Sequence, residues 1–144
     1  YELAKGLYQM SYWGNSWILT QYSWGSGASF PSDQARLKPG EKEFYGVFKA
    51  RDHYQQAYTL SKDPNFKARS LFMVAKCEQK QIPGPVWEPN TTYDDYEKAK
   101  VAQQKKMMSS PHFTTLAKQY SNTAFYKEAV NTCSYLKDFV RKVK

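Results

Sequence analysis

The side chains that could do chemistry in this chain are few and poorly grouped. Two histidines, His53 and His112, and two cysteines, Cys77 and Cys133, are the strongest metal ligands available. A structural zinc site needs a full tetrahedral ligand set at close spacing, and these four residues offer no C-x-x-C or paired-histidine pattern. Asp52 precedes His53, but adjacent helical positions do not face one another, so the carboxylate cannot orient the imidazole as a general base. His112 falls in the first turn of a predicted helix, where the dipole disfavours a cation, and is expected to be a neutral surface or packing residue. Asp94 and Asp95 open another helix, and the same dipole accounts for them without a metal or acid–base role. Gly25-Ser26-Gly27-Ala28-Ser29 lacks the G-x-S-x-G spacing of a serine nucleophile, and it follows a helix where a phosphate cradle would precede one. The expectation is a non-enzyme with no metal or cofactor.

Binding is better supplied than catalysis. Aromatic residues make up 17% of the chain, including 12 Tyr and 4 Trp. Such side chains join apolar bulk to a polar tip and commonly anchor interfaces. Residues 6 to 32 carry no charge, and a helix there would be apolar on two sides. One stripe is Leu3, Leu7, Met10, Gly14 and Trp17; the other is Tyr1, Lys5, Tyr8 and Tyr12. That surplus of apolar surface singles out Tyr8, Tyr12, Trp13 and Trp24 as partner-binding candidates. It also predicts that an upstream part of the same polypeptide packs on the first helix, since the chain opens abruptly at Tyr1. Gly14 stands where another backbone could approach closely.

The net charge is +8. A basic excess invites nucleic acid or an anionic surface, and Lys98, Lys100, Lys105 and Lys106 beside Tyr93 and Tyr96 are the candidate anion-binding set. Lysines are nevertheless spread along every predicted helix, opposite the apolar stripes, which describes a solvated basic surface better than a dedicated patch. No apolar run is long enough to span a bilayer; Leu7 to Trp24 is interrupted by Gln9, Ser11, Asn15, Ser16, Thr20 and Gln21.

The elements that must position these residues are helices. With 144 residues and 41% hydrophobic content, the chain suits one domain with a single core. After the first helix, Gly and Pro residues mark a long loop near 24–42. Val47, Ala50, Tyr54, Ala57 and Leu60 form the stripe of a helix from about Glu43 to Ser61. Asp63-Pro64 starts another, striped by Ala68, Leu71, Phe72 and Ala75. Ile82-Pro83-Gly84-Pro85 and Pro89 forbid helix and set a second loop near 81–92. Thr92 with Asp95 resembles a capping box opening a basic helix to about Met108. Ser110 can cap and Pro111 can begin a helix carrying Phe113, Leu116, Ala117 and Tyr120. After Ser121-Asn122-Thr123 a last helix carries Tyr126, Ala129, Val130, Cys133, Leu136, Val140 and Val143. Two helices joined so tightly are expected to run antiparallel.

The final hairpin resembles the tetratricopeptide repeat. Phe113, Leu116, Ala117 and Tyr120 match that family's first helix, and Ala124, Tyr126 and Ala129 its second, whereas Cys133 and Leu136 depart from it. Ala50, Tyr54 and Ala57, followed by Leu71, Val74 and Ala75, echo the same pattern. The resemblance implies an all-α fold of about six helices in a right-handed array of degenerate repeats. It implies a single domain over 1–144, the C-terminal part of a longer protein, acting as a scaffold that binds a peptide or partner protein. Tyr12-Trp13-Gly14-Asn15-Ser16-Trp17, Lys67-Ala68 and Ala75-Lys76-Cys77-Glu78 also resemble uncharacterised bacterial helical-repeat proteins. That resemblance implies a cell-envelope or periplasmic location over a cytoplasmic one.

Overall fold

The computed structural model describes residues 1–21, 37, 38 and 40–143, the last two by backbone alone. Among these residues every regular element is helical: α1 (Glu2–Gln9), a 3-10 turn (Trp17–Leu19), α2 (Glu41–Gly46), α3 (Phe48–Leu60), α4 (Pro64–Lys80), α5 (Tyr93–Met108), α6 (Pro111–Gln119), α7 (Ala124–Thr132) and α8 (Ser134–Val143). The all-α class therefore stands. The loop expected near 81–92 is irregular backbone. The loop near 24–42 falls mainly outside the described residues.

Capping chemistry sets several starts. The Asp63 carboxylate accepts from Asn65 N at 3.0 Å and Phe66 N at 3.2 Å, ahead of Pro64 in the first turn. Thr92 Oγ1 accepts from Asp95 N at 3.2 Å and donates to Asp95 Oδ2 at 2.6 Å. Thr123 Oγ1 accepts from Tyr126 N at 3.2 Å, while Asn65 Oδ1, 60 residues away in sequence, accepts from Phe125 N at 2.8 Å. Ser110 does not use its side chain as a cap; its hydroxyl is buried without a partner among the described residues.

Three expected helices are broken or shortened, so the count of about six is too low. The first was expected to continue through Trp17 but stops at Gln9. The chain folds back there, with Gln9 O accepting from Ser16 N at 2.9 Å and Gln9 Oε1 from Asn15 N at 2.9 Å. Gly14 permits this return: a Cβ at that position would lie 2.2 Å from Gln9 O. The expected helix at 43–61 divides at Val47, which holds φ 49, a left-handed conformation uncommon for a β-branched residue. Glu43 Oε1 then accepts from Lys49 N at 2.9 Å and starts α3. The last helix divides at Cys133, which is extended at φ −105 and ψ 110. The break redirects α8 so that Leu136 and Phe139 close over Phe113.

The spine of the molecule is α4, which buries two faces. Ala68, Leu71 and Ala75 join Phe113, Leu116, Tyr120, Ala129, Leu136 and Phe139 in one core. Val74 and Cys77 join Ala4, Val47, Ala50 and Tyr54 in the other. Side-chain pairs along α4 fix the directions of its neighbours. Gln81 Nε2 donates to Gly46 O at 2.9 Å, so α3 runs antiparallel to α4, and α1 packs on α3 with Ala4 in the core that α3 and α4 share. His112 meets Glu78 at the end of α4 and Phe125 meets Asn65 at its start, so α6 returns along α4 and α7 follows it. Thus α6 and α7 run in opposite directions, as expected, but α4 and α8 are the principal neighbours of each. Two stripe residues face outward against expectation: Leu3 is 61% exposed and Leu60, at the frayed end of α3, is 82% exposed.

Candidate functional site

The aromatic candidates converge, but on each other. Tyr12 is 6% exposed, and its ring lies 4.7 Å from Trp13, 5.3 Å from Tyr45 and 6.1 Å from Phe44 between centroids. The Trp13 indole N–H donates to Tyr45 O at 2.7 Å, and Lys80 Nζ stands 3.9 Å from its ring centroid. Tyr8 packs on the core shared by α3 and α4, and burial pushes its hydroxyl well above the ordinary tyrosine range, with Cys77 adding to the rise. These three residues form an internal seam closed by α2 and the end of α4. The surplus apolar surface of the first segment is real, but elements of this chain far downstream supply the cover at Tyr12 and Trp13. Trp24 lies outside the described residues.

The lysine candidates are all exposed on α5 and do not share one face. Helical spacing places Lys98 and Lys105 together and turns Lys100 away. Lys100 Nζ bonds Glu97 Oε1 at 3.2 Å. Lys98 and Lys105 flank a shallow cleft of about 460 Å³ that also holds Asp94, Glu97, Val101 and Ala102, so its charge is mixed.

A groove that sequence reasoning did not identify runs between α6, α7 and α8. Its volume is about 540 Å³. Ala117, Val130 and Val140 supply an apolar lining, and Ser121, Tyr126, Lys127 and Asn131 supply polar edges. Stripe arithmetic assigns Ala117, Val130 and Val140 to the core, where they are in part: they pack at its margin and remain half-buried. What opens the groove is the kink at Cys133, which no proline or glycine announces. The double cap on α7, from Thr123 and Asn65, holds Tyr126 and Lys127 in place at the edge.

The remaining reactive groups are dispersed. Cys77 and Cys133 are both free thiols, and burial pushes Cys77 up to about 12. Asp52 bonds Arg51 at 2.7 Å, and His53 Nδ1 lies 3.3 Å from Gln56 Oε1, so the pair at 52 and 53 is divided between other partners. His112 Nε2 lies 3.2 Å from Glu78 Oε1. Among the described residues no group of three or more His, Cys, Asp or Glu is gathered closely enough to hold a metal ion. No helix among them is long and apolar enough to cross a membrane. Comparison with protein-family models, curated proteins and solved structures gives no match.

Proposed function

We propose that the chain is a non-catalytic protein-interaction module of tetratricopeptide-like design, whose α6–α7–α8 groove takes up a peptide or a segment of a partner protein. The carrying observation is the groove itself. It has an apolar floor large enough for one or two side chains, an aromatic edge at Tyr126, and a cation at Lys127. Concave apolar sites with a few convergent polar groups are the usual form of a recognition site. The antiparallel packing of α3 with α4, and of α6 on the same spine, is the kind of arrangement that stacked helical hairpins use. With Lys127 at the edge and a net charge of +8, the favoured partner segment is apolar with an acidic flank. The mixed charge around Lys98 and Lys105 gives the phosphate-binding alternative less support.

Selection from a displayed random-peptide library tests this reading. The selected peptides should carry a large apolar residue beside Asp or Glu. Val130→Glu should abolish their binding, and Lys127→Glu, on the exposed edge, should weaken it several-fold without changing the melting temperature. Moderate salt should weaken binding only slightly, whereas phosphate binding would fall steeply through counterion release. Peptides that bind both variants as they bind the parent chain would contradict the proposal.

A further inference from the structure

α5 is thinly held. None of its 16 residues is buried, and its main neighbour is α8. Its interior contacts are few: Met107 O accepts from Gln79 Nε2 at 2.8 Å, and Gln103 Nε2 donates to Ile82 O at 3.5 Å. Tyr96 packs its ring 5.5 Å from that of Trp87, while the face that carries Val101, itself 46% exposed, is open to solvent. A helix of this length draws most of its stability from packing, so an open apolar centre is a face without its counterpart.

The pattern on that face is ordered. Asp94, Glu97, Lys98, Val101, Ala102 and Lys105 recur at three- and four-residue steps and line one cleft. The acids stand at the N-terminal end, Val101 and Ala102 lie in the middle half, and Lys105 closes the C-terminal end. Asp94 and Lys105 are about 16 Å apart along the axis at a rise of 1.5 Å per residue. Reversing the helix end for end about its midpoint, between residues 99 and 100, sets Asp94 against Lys105 and brings Val101 against the stem of Lys98. The face is therefore complementary to itself in an antiparallel arrangement, which is the symmetry of an isologous two-fold contact.

We propose that this α5 face pairs with the same face of a second copy of the chain, antiparallel about a two-fold axis between residues 99 and 100. Asp94 and Glu97 of each copy then meet Lys105 of the other, and the aliphatic stem of Lys98 covers the second copy's Val101. The contact is smaller than the roughly 1,600 Å² of a standard interface, so the dimer is weak. The net charge of +8 on each copy opposes approach, but at physiological salt charges beyond a Debye length of about 8 Å are screened, while contact pairs keep much of their attraction. This face is separate from the α6–α7–α8 groove, so either can fail alone.

Sedimentation equilibrium of the whole chain, run from micromolar to millimolar at physiological salt, is the test. The parent chain should show reversible dimerisation. Asp94→Lys or Lys105→Asp alone should each weaken it roughly tenfold, because a two-fold contact counts each change twice. The doubly exchanged chain, Asp94→Lys with Lys105→Asp, should recover dimerisation, even though each change opposes the helix dipole. Val101→Asp should abolish it. Circular dichroism checks that each variant is folded. A parent chain that stays monomeric to millimolar concentration, or a double variant no better than the singles, would overturn the proposal.

Discussion

Lys80 and Cys77 are close in sequence, and burial shifts their ionisations in opposite directions. Burial, and then the neighbouring Lys76, pull Lys80 down from 10.5 to about 8. Burial pushes Cys77 up from 9.0 to about 12. For Lys80 the folded chain releases its proton more readily than the unfolded chain, so its contribution to stability is absent below pH 8 and grows as pH rises toward 10.5. For Cys77 the contribution is fully present below pH 9 and is lost as pH climbs from there toward 12. The two oppose one another in the alkaline range. Comparing the chain with Lys80→Met isolates the first, because Cys77 is common to both. Any stability advantage of the variant in urea should shrink between pH 8 and 10.5. A difference that stays constant over that range would show that the Trp13 ring, at 3.9 Å, offsets the cost of burying the ammonium. Neither shift was legible in the sequence. Lys80 shows only as one of many lysines, and the indole beside it lies 67 positions upstream.

At the level of elements, legibility followed locality. The starts at Asp63-Pro64 and Thr92 depend on bonds spanning two or three residues, and they appear where the sequence places them. The class, the loop after α4 and the apolar face of α6 follow from periodicity and proline alone. The breaks do not. The end of α1, the left-handed Val47 and the extended Cys133 reflect what each segment packs against, and periodicity carries no record of that. The second face of α4 was legible only in part: Val74 stands in the repeat-like pattern, but that it and Cys77 serve a separate core from Ala68, Leu71 and Ala75 depends on a helix covered from both sides. Ala129 tests this arrangement. It is buried against the α4 core, so Ala129→Leu should overpack the site at a cost of about 1–3 kcal/mol and lower the melting temperature. An unchanged melting temperature would show that α7 does not lie as closely on α4 as described.

For the molecule as a whole, helices pack on both faces of α4, and the described surface includes the groove bounded by α6, α7 and α8 and the solvent face of α5. The aromatic residues that looked most like anchors instead close the seam between α1, α2 and the end of α4. Tyr8, Tyr12 and Trp13 thus take part in folding contacts, and the groove is lined by residues whose periodicity marks them as core. Proton–nitrogen correlation spectra of the labelled chain, titrated with an apolar peptide carrying an acidic flank, test this assignment most directly. Amides at Ala117, Tyr126, Val130 and Val140 should shift together and saturate, while those of Tyr8, Tyr12 and Trp13 stay in place. Shifts confined to the α1–α2 seam or to α5, with the groove unchanged, would contradict it.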